Sequence, residues 1–203
     1  GMEYPMLAFC GGRPTSSGYY SRQAKYLMIG VIIHEVGHNF FPMIVNSNER
    51  RWAWMDEGLN SFCQIIAEQT FEKGFPLRRG PADNIAEFML SSDHQPIMTN
   101  PESIRDNATI SYEKTAIGLY ILRQEVMGPT AFDMAFKEYA RRWAFRHPEP
   151  ADFFRTLEDA SGHALSWFWR TWFYEAQPLE MGIGKVKHFL LSESRAAKGY
   201  IDP

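Results

Sequence analysis

Two stretches, HEVGH (34–38) and WMDEGLN (54–60), decide how this sequence is interpreted. The first lies in the last turns of a predicted helix that begins near Ser21, a suitable N-cap, and ends before Pro42. Residues four apart project from one face of a helix, so the imidazoles of His34 and His38 can reach a single ion. Glu35 is rotated by about 100° from His34, which lets it act as a general base beside a metal-bound water without being a ligand.

A third ligand is expected at Glu57. Eighteen residues, 39–56, separate it from His38. Two histidines and one carboxylate leave a fourth position open, which is the pattern of a catalytic zinc site, so the sequence predicts one Zn²⁺. The competing interpretations are two chance histidines on an amphipathic helix and a carboxylate that only favours a helix N-terminus. Three neighbours of Glu57 are candidates for hydrogen bonds to the ligands, namely Asp56, Asn60 and Ser61.

The fold class predicted from the pattern of apolar residues is mainly α. Helices are expected over 21–41, 52–73, 83–91, 111–128 and 130–146, with a last pair inside 151–176. An irregular segment, 91–109, is long enough to indicate a functional loop. We expect one catalytic domain over 1–177 and a strand-like tail over 178–203, the remnant of a following domain.

Composition narrows the classes of partner. The 203 residues are 45% hydrophobic and 15% aromatic, enough for a large core. A net charge of −3 without a long basic run gives no reason to expect nucleic acid. The longest apolar run, YLMIGVII (26–33), is far below the ~20 residues of a membrane span, so no transmembrane segment is predicted. Cys10 and Cys63 are expected to be free, buried thiols. The sequence does not determine the cellular compartment, although a periplasmic or secreted protein is slightly favoured.

HEVGH and WMDEGLN, with eighteen residues between histidine and glutamate, resemble the zinc aminopeptidases of the aminopeptidase N and leukotriene hydrolase type. These gluzincins carry HExxH and then Glu in a W-x-x-E-G segment. The resemblance extends from Gly1 to about Tyr174 and implies a thermolysin-like catalytic domain, an HExxH helix within a helical bundle. It also implies that the family's upstream β domain, together with a C-terminal domain of the same protein, is missing from this chain.

Further site residues follow from the resemblance alone. The family's G-x-M-E-N loop is matched by Gly1, Met2 and Glu3, with Tyr4 in place of the usual Asn. Glu3 would bind the free α-ammonium of a peptide substrate, and Gly1 and Met2 would line that substrate. The family's oxyanion-binding tyrosine is matched by Tyr112 in SYEKT (111–115).

The implied function is hydrolysis of N-terminal residues from peptides, with Glu35 and Tyr112 as catalytic residues. Two alternatives stay open at this point. One is a catalytically silent zinc-binding relative that acts in protein interaction. The other is a hydrolase that uses the same zinc site on a non-peptide substrate.

Overall fold

The computed structural model describes residues 1–13 and 15–176; the predicted tail, 178–203, and its boundary at residue 177 lie outside them. The chain begins with two strands, β1 (Met2–Tyr4) and β2 (Leu7–Phe9). Seven α-helices follow among the described residues: α1 (Arg22–Gly37), α2 (Leu59–Phe71), α3 (Ala86–Met89), α4 (Thr115–Ile121), α5 (Pro129–Trp143), α6 (Pro150–Ser161) and α7 (Ser166–Trp169).

Shorter helical turns extend or connect these helices. Wide π-helical turns occupy Trp54–Gly58, Ala108–Lys114, Leu122–Val126 and Arg170–Tyr174, and 3₁₀ turns occupy Ala82–Ile85 and Pro101–Ser103. The segment Asn39–Ile44 is also wound as a wide turn, but its backbone is kinked and non-helical at Phe41 and Pro42. The mainly α fold predicted from the sequence is therefore confirmed. The bounds shift by a few residues, as at α1, which ends at Gly37 well before the expected stop at Pro42.

The first helix begins where the sequence predicts. The Ser21 hydroxyl accepts a hydrogen bond from the Ala24 amide at 3.1 Å, the contact of an N-cap. The stretch Arg22–Ile44 has 23 residues and contains an 18-residue window with a mean hydropathy of 1.3, so by length and composition alone it is long and apolar enough to cross a membrane. The core helix of a globular domain passes the same test. The apolar run 26–33 has only eight residues, which is too short a window to test for a membrane span. The absence of a transmembrane segment therefore stays a prediction.

Aromatic side chains fill the core beneath the second motif. Trp54 is 1% exposed, and its ring lies 4.9 Å from that of Phe173 and 5.7 Å from that of Phe153, both edge-on. Such pairs contribute beyond the area that they bury. The buried indole holds the turn Trp54–Gly58 in the core and so places Glu57 one turn further on.

Close approach of three helical segments depends on two glycines. A Cβ at Gly37 would collide with the Asn60 side-chain oxygen, so the missing side chain lets HEVGH lie against α2. A Cβ at Gly58 would meet the side chain of Thr115 and the Ser111 carbonyl. The glutamate motif can therefore contact the segment that carries the predicted tyrosine.

The N-terminal hairpin is a feature that the sequence analysis did not predict. β1 pairs antiparallel with β2, Glu3 opposite Ala8, and the chain reverses at Met6 with φ of 62°. Glu3 and Ala8 face inward, whereas the larger apolar side chains on both strands are exposed. Cys10, which follows β2, is free as predicted but exposed, which corrects the expectation that both thiols are buried.

Candidate metal centre and active site

Three donor atoms converge at the junction of α1 and the turn before α2. The two Nε2 atoms of His34 and His38 are 3.1 Å apart. Glu57 Oε2 lies 3.1 Å from His34 Nε2 and 3.3 Å from His38 Nε2. Both imidazoles are buried and Glu57 is partly buried, so this is a small cluster of three potential ligands at the wall of a cavity.

The remaining ring nitrogens show how the histidines are oriented. His34 Nδ1 is 2.9 Å from Gln64 Oε1, and the Gln64 amide nitrogen donates to Glu68 at 2.7 Å, so the oxygen is the atom that faces the ring. His38 Nδ1 is 2.8 Å from the Phe41 carbonyl and 3.0 Å from Asp56 Oδ1. Each Nδ1 therefore carries the hydrogen and donates it. In the neutral, metal-binding form of each ring, Nε2 then points its lone pair at the centre of the cluster.

This donor set fits a zinc ion. Two nitrogen lone pairs and a carboxylate oxygen face one another at close range, and they repel one another unless a proton or a metal cation lies between them. Two imidazoles and a carboxylate with an open fourth position form a donor set that suits catalytic zinc. The carbonyl and carboxylate contacts on Nδ1 are those that usually orient zinc-bound histidines.

The pKa shifts of His38 and Glu57 also indicate that the triad favours a positive charge at its centre. Burial opposes a charge on His38, but hydrogen bonds to Asp56 and Glu57 outweigh it and raise its pKa to about 10. Burial also opposes a charge on Glu57, yet hydrogen bonds from His34, His38 and Tyr112 lower its pKa to about 2. The triad therefore attracts positive charge, which a bound metal would supply.

Glu35 stands next to the triad with a free acceptor atom. Its side chain is buried, and its Oε2 has no hydrogen-bond partner among the described residues. A buried carboxylate oxygen without a donor is costly unless water or a ligand approaches it. Its Oε1 lies 3.6 Å from the Gly1 nitrogen.

Tyr112 forms another wall of the site. Its ring stacks on that of His34 at 5.8 Å and 18°, and the Arg79 guanidinium lies 4.4 Å from the centre of the Tyr112 ring. Burial, and then the negative charge of Glu57, raise the pKa of Tyr112. The hydroxyl therefore stays protonated and available as a hydrogen-bond donor.

The hairpin places Glu3 on the His38 side of the triad. Glu3 Oε2 lies 3.9 Å from His38 Nε2 and forms, with His38, Asp56 and Glu57, a second group of donor atoms close enough to share an ion. Together with Gly1 and Met2, Glu3 lines a cavity of about 800 Å³. The wall of this cavity also includes the side chains of His34, Glu35, Glu57 and Tyr112.

Most of the site residues predicted from the sequence line this cavity, and His38 adjoins it through its contacts with His34 and Glu57. Two of the three expected supporting residues differ in their contacts from the prediction. Asn60 donates to the His34 main-chain carbonyl at 2.8 Å, and the buried Ser61 hydroxyl has no partner among the described residues. Sequence reasoning missed Gln64, the partner of His34. Gln64 lies seven residues, or two helical turns, after Glu57 and so on the same face of the helix. Its position beside a predicted metal ligand could have identified it from the sequence.

Similarity to known proteins agrees with this geometry. Residues 14–172 match the peptidase family M1 domain. The chain is 28% identical over 193 residues to glutamyl aminopeptidase of Sus scrofa, covering 84% of this chain and 20% of that protein. It is 24% identical to aminopeptidase N of Lactococcus lactis subsp. lactis, covering 77% of this chain and 19% of that protein. The chain thus spans about a fifth of the length of these relatives.

A solved structure shares the fold. It is a mutant M1 zinc metallopeptidase from Deinococcus radiodurans bound to a Tyr-Ser-Ala substrate, with a TM-score of 0.63 and 17% identity. The match covers 88% of this chain and 39% of that one. Since the family domain matches well over half of the sequence, the chain belongs to peptidase family M1.

Proposed function

We propose that this chain is the catalytic part of a zinc aminopeptidase, with His34, His38 and Glu57 as ligands of one zinc ion. The observation that carries the proposal is the convergence of their three donor atoms beside Glu35, whose buried Oε2 has no partner among the described residues. Zinc bound there would act as a Lewis acid and bring the pKa of a coordinated water near 7.

Glu35 acts as the general base and then as the general acid. Its carboxylate takes a proton from the attacking water and later delivers it to the leaving nitrogen. The C–N bond of the first peptide link breaks, a C–O bond forms, and the products are a free amino acid and a shortened peptide with a new amine. Burial beside the cavity suits this exchange because Glu35 Oε2 has no competing donor among the described residues.

Tyr112 stabilises the charge that develops on the carbonyl oxygen. Its hydroxyl remains protonated because burial and the Glu57 charge raise its pKa. The stacking contact with His34 fixes the ring beside the metal ligands. A donor that is already oriented loses little freedom when the transition state forms, which is why such groups accelerate acyl transfer.

Glu3, Gly1 and Met2 bind the substrate's N-terminal residue. Glu3 lies on the His38 side of the triad, and its carboxylate can pair with an α-ammonium. Gly1 and Met2 line the same part of the cavity. A peptide held in this way presents its first carbonyl to the triad, which makes the enzyme an exopeptidase that requires a free amine.

A single variant tests the chemistry. Glu35→Gln should retain zinc, measured by elemental analysis, while kcat on aminoacyl fluorogenic substrates falls by about 10²–10⁴-fold, the contribution of a general base. Glu72→Gln, a carboxylate at the end of α2 that bonds to Tyr26 instead, should keep its activity. Hydrolysis that persists in Glu35→Gln would contradict the assignment of the base. A zinc-loaded wild-type protein that hydrolyses none of these substrates would instead favour the silent zinc-binding alternative.

A further inference from the structure

Charged side chains are distributed unevenly along the cavity. Glu3, Glu35 and Glu57 surround the metal end, whereas three arginines, Arg22, Arg78 and Arg79, line the remainder. Glu68 is the acidic exception in that part, and its carboxylate accepts a hydrogen bond from Gln64 at 2.7 Å. The cavity therefore offers negative charge at one end and positive charge along the rest.

Arg79 is the arginine that reaches the site itself. Its guanidinium lies over the Tyr112 ring, and Nη1 is 3.5 Å from Gln64 Oε1, the atom that faces His34. Among the ion pairs formed by residues 1–13 and 15–176, those of arginines involve Arg105, Arg123, Arg141, Arg142 and Arg170, and none includes Arg79. The half-buried guanidinium contacts the Tyr112 ring and the Gln64 oxygen, and the charges of Glu57 and Glu113 act on it from further away. Its remaining N–H donors are therefore available to an anionic ligand in the cavity.

The direction of a bound peptide follows from the two sides of the triad. Glu3 contacts His38, whereas Arg79 reaches Tyr112 and Gln64, both of which contact His34. The cavity continues on the His34 side along α1, past Val31 and Leu27. With the amine at Glu3 and the first carbonyl at the triad, the residues that leave lie on the Arg79 side.

Distance limits the length of that leaving part. An extended chain advances by at most about 3.3–3.6 Å per residue, so a carboxylate close to the triad belongs to a peptide of two or three residues. Arginine binds a carboxylate through two parallel hydrogen bonds, and its fork is partly oriented here by stacking on Tyr112.

We infer that Arg79 binds the C-terminal carboxylate of short peptides on the leaving-group side, so that dipeptides and tripeptides are the preferred substrates. This rests on the aminopeptidase function proposed above. Arg79 is a specificity-determining residue on this assignment. The acidic metal end and the basic remainder of the cavity match the opposite charges at the two ends of a short peptide.

The test compares a free and a blocked C-terminus. Wild-type protein should hydrolyse Ala-Ala-Ala with a kcat/KM about tenfold or more above that for Ala-Ala-Ala-NH₂. Arg79→Met should lower kcat/KM for the acid by about 10–100-fold, the value of a hydrogen bond between charged partners, and for the amide by less than about threefold. Arg155→Met, an exposed arginine on α6, is the matched control and should leave the ratio unchanged.

A second measurement does not require turnover. Binding of both peptides to zinc-loaded Glu35→Gln, with and without Arg79→Met, should show the same loss of preference in Kd. Arg79→Lys, which retains the charge, should keep part of the preference and provides a test if the methionine variant folds poorly. An unchanged acid-to-amide ratio in both variants overturns the inference, because a merely structural role for Arg79 would weaken both peptides equally.

A further pair of substrates distinguishes whether Arg79 binds the C-terminal carboxylate of the peptide or a carboxylate on the side chain of its first residue. If Arg79→Met changes only the preference for Glu-Ala-NH₂ over Gln-Ala-NH₂, Arg79 binds the first residue's side chain and its placement on the leaving side is wrong. Failure of the wild-type protein to hydrolyse any of these peptides would count against the aminopeptidase function. The binding ratio would still decide the role of Arg79.

Discussion

The metal triad and the hairpin that carries Glu3 form two sides of one site, but they are built differently. His34 lies in a sixteen-residue helix and His38 is the C-cap residue of that helix; both are buried, and the Nδ1 atom of each is hydrogen-bonded. Glu3 stands on a three-residue strand whose neighbours Met2 and Tyr4 are exposed. The metal triad is therefore held in place by the packed core, whereas Glu3 is held only by a two-stranded hairpin.

This difference separates metal binding from substrate discrimination. When buried partners already hold the donor atoms in place, the free-energy cost of reorganising the site on metal binding is small. A short exposed hairpin has few buried contacts, and such regions open at low free-energy cost. We therefore expect changes on the helical side to affect chemistry, metal affinity and stability, and changes on the hairpin to affect mainly the choice of substrate.

The largest effect is expected at Tyr112, on the helical side. Tyr112→Phe removes the hydroxyl but retains the ring that stacks on His34, so kcat should fall by about 10²–10³-fold with little change in KM. Steady-state kinetics on an aminoacyl substrate measures both constants. Tyr120→Phe, further along the same helical segment, is the matched control. A KM change without a kcat change in Tyr112→Phe would contradict its role at the oxyanion.

Lys114 tests the stability of the helical side through pH. Its ammonium is buried, donates to the Gln95 carbonyl at 3.1 Å, and so ties the long 91–109 loop to the helix that carries Tyr112. Burial lowers the pKa of Lys114 from 10.5 to about 8. Between these values the unfolded chain binds more protons than the folded one, so the free energy of unfolding should rise with pH by up to about 3 kcal/mol.

Denaturant unfolding at pH 7.5 to 10.5 measures this contribution. The wild type should gain stability over this range relative to Lys114→Met, in which the group is absent. Lys137→Met, at an exposed position on α5, should differ from the wild type by a constant amount. A difference between wild type and Lys114→Met that does not change with pH would show that Lys114 titrates normally.

The hairpin side is tested at Glu3. Glu3→Gln should lower kcat/KM for peptides with a free amine by about 10–100-fold, since a charge-assisted pair with the ammonium is lost. N-acetylated versions of the same peptides, which lack the ammonium, should change little, and bound zinc should stay at the wild-type level. Equal losses on both substrates, or loss of zinc, would show that Glu3 supports the metal centre instead.

The smallest effect is expected from Gln64, the partner of His34. Gln64→Leu removes the acceptor at Nδ1 and should weaken zinc binding by about tenfold, the lower end of the usual range for such contacts. Competition with a zinc chelator measures the affinity. Gln69→Leu, one and a half turns further along α2 and bonded to Tyr120, should bind zinc as the wild type does. If Gln64→Leu binds zinc as tightly as the wild type, the orientation of His34 depends on packing alone and not on its hydrogen bond to Gln64.

Some of these features could be predicted from sequence and others could not. The long helices were found because their apolar residues recur at helical spacing. The hairpin was missed because its inward positions carry Glu3 and Ala8 while its larger apolar side chains face outward, the reverse of the usual pattern. Arg79 was missed because it stands in a loop, where no periodicity indicates what a side chain will contact.

The sequence by itself determined that His34 and His38 share a helix face with Glu35 beside them, because side-chain direction within a helix depends only on residues a turn apart. The eighteen-residue spacing predicted Glu57 as a third ligand, and the family resemblance implied Tyr112 and Glu3, but only the tertiary structure shows how these side chains and Arg79 meet around that face. Their positions depend on the burial of Trp54, on the close packing allowed by Gly37 and Gly58, and on the pairing of two short strands. Such contacts join residues far apart in the chain and are formed by packing of the whole domain, which no local spacing encodes.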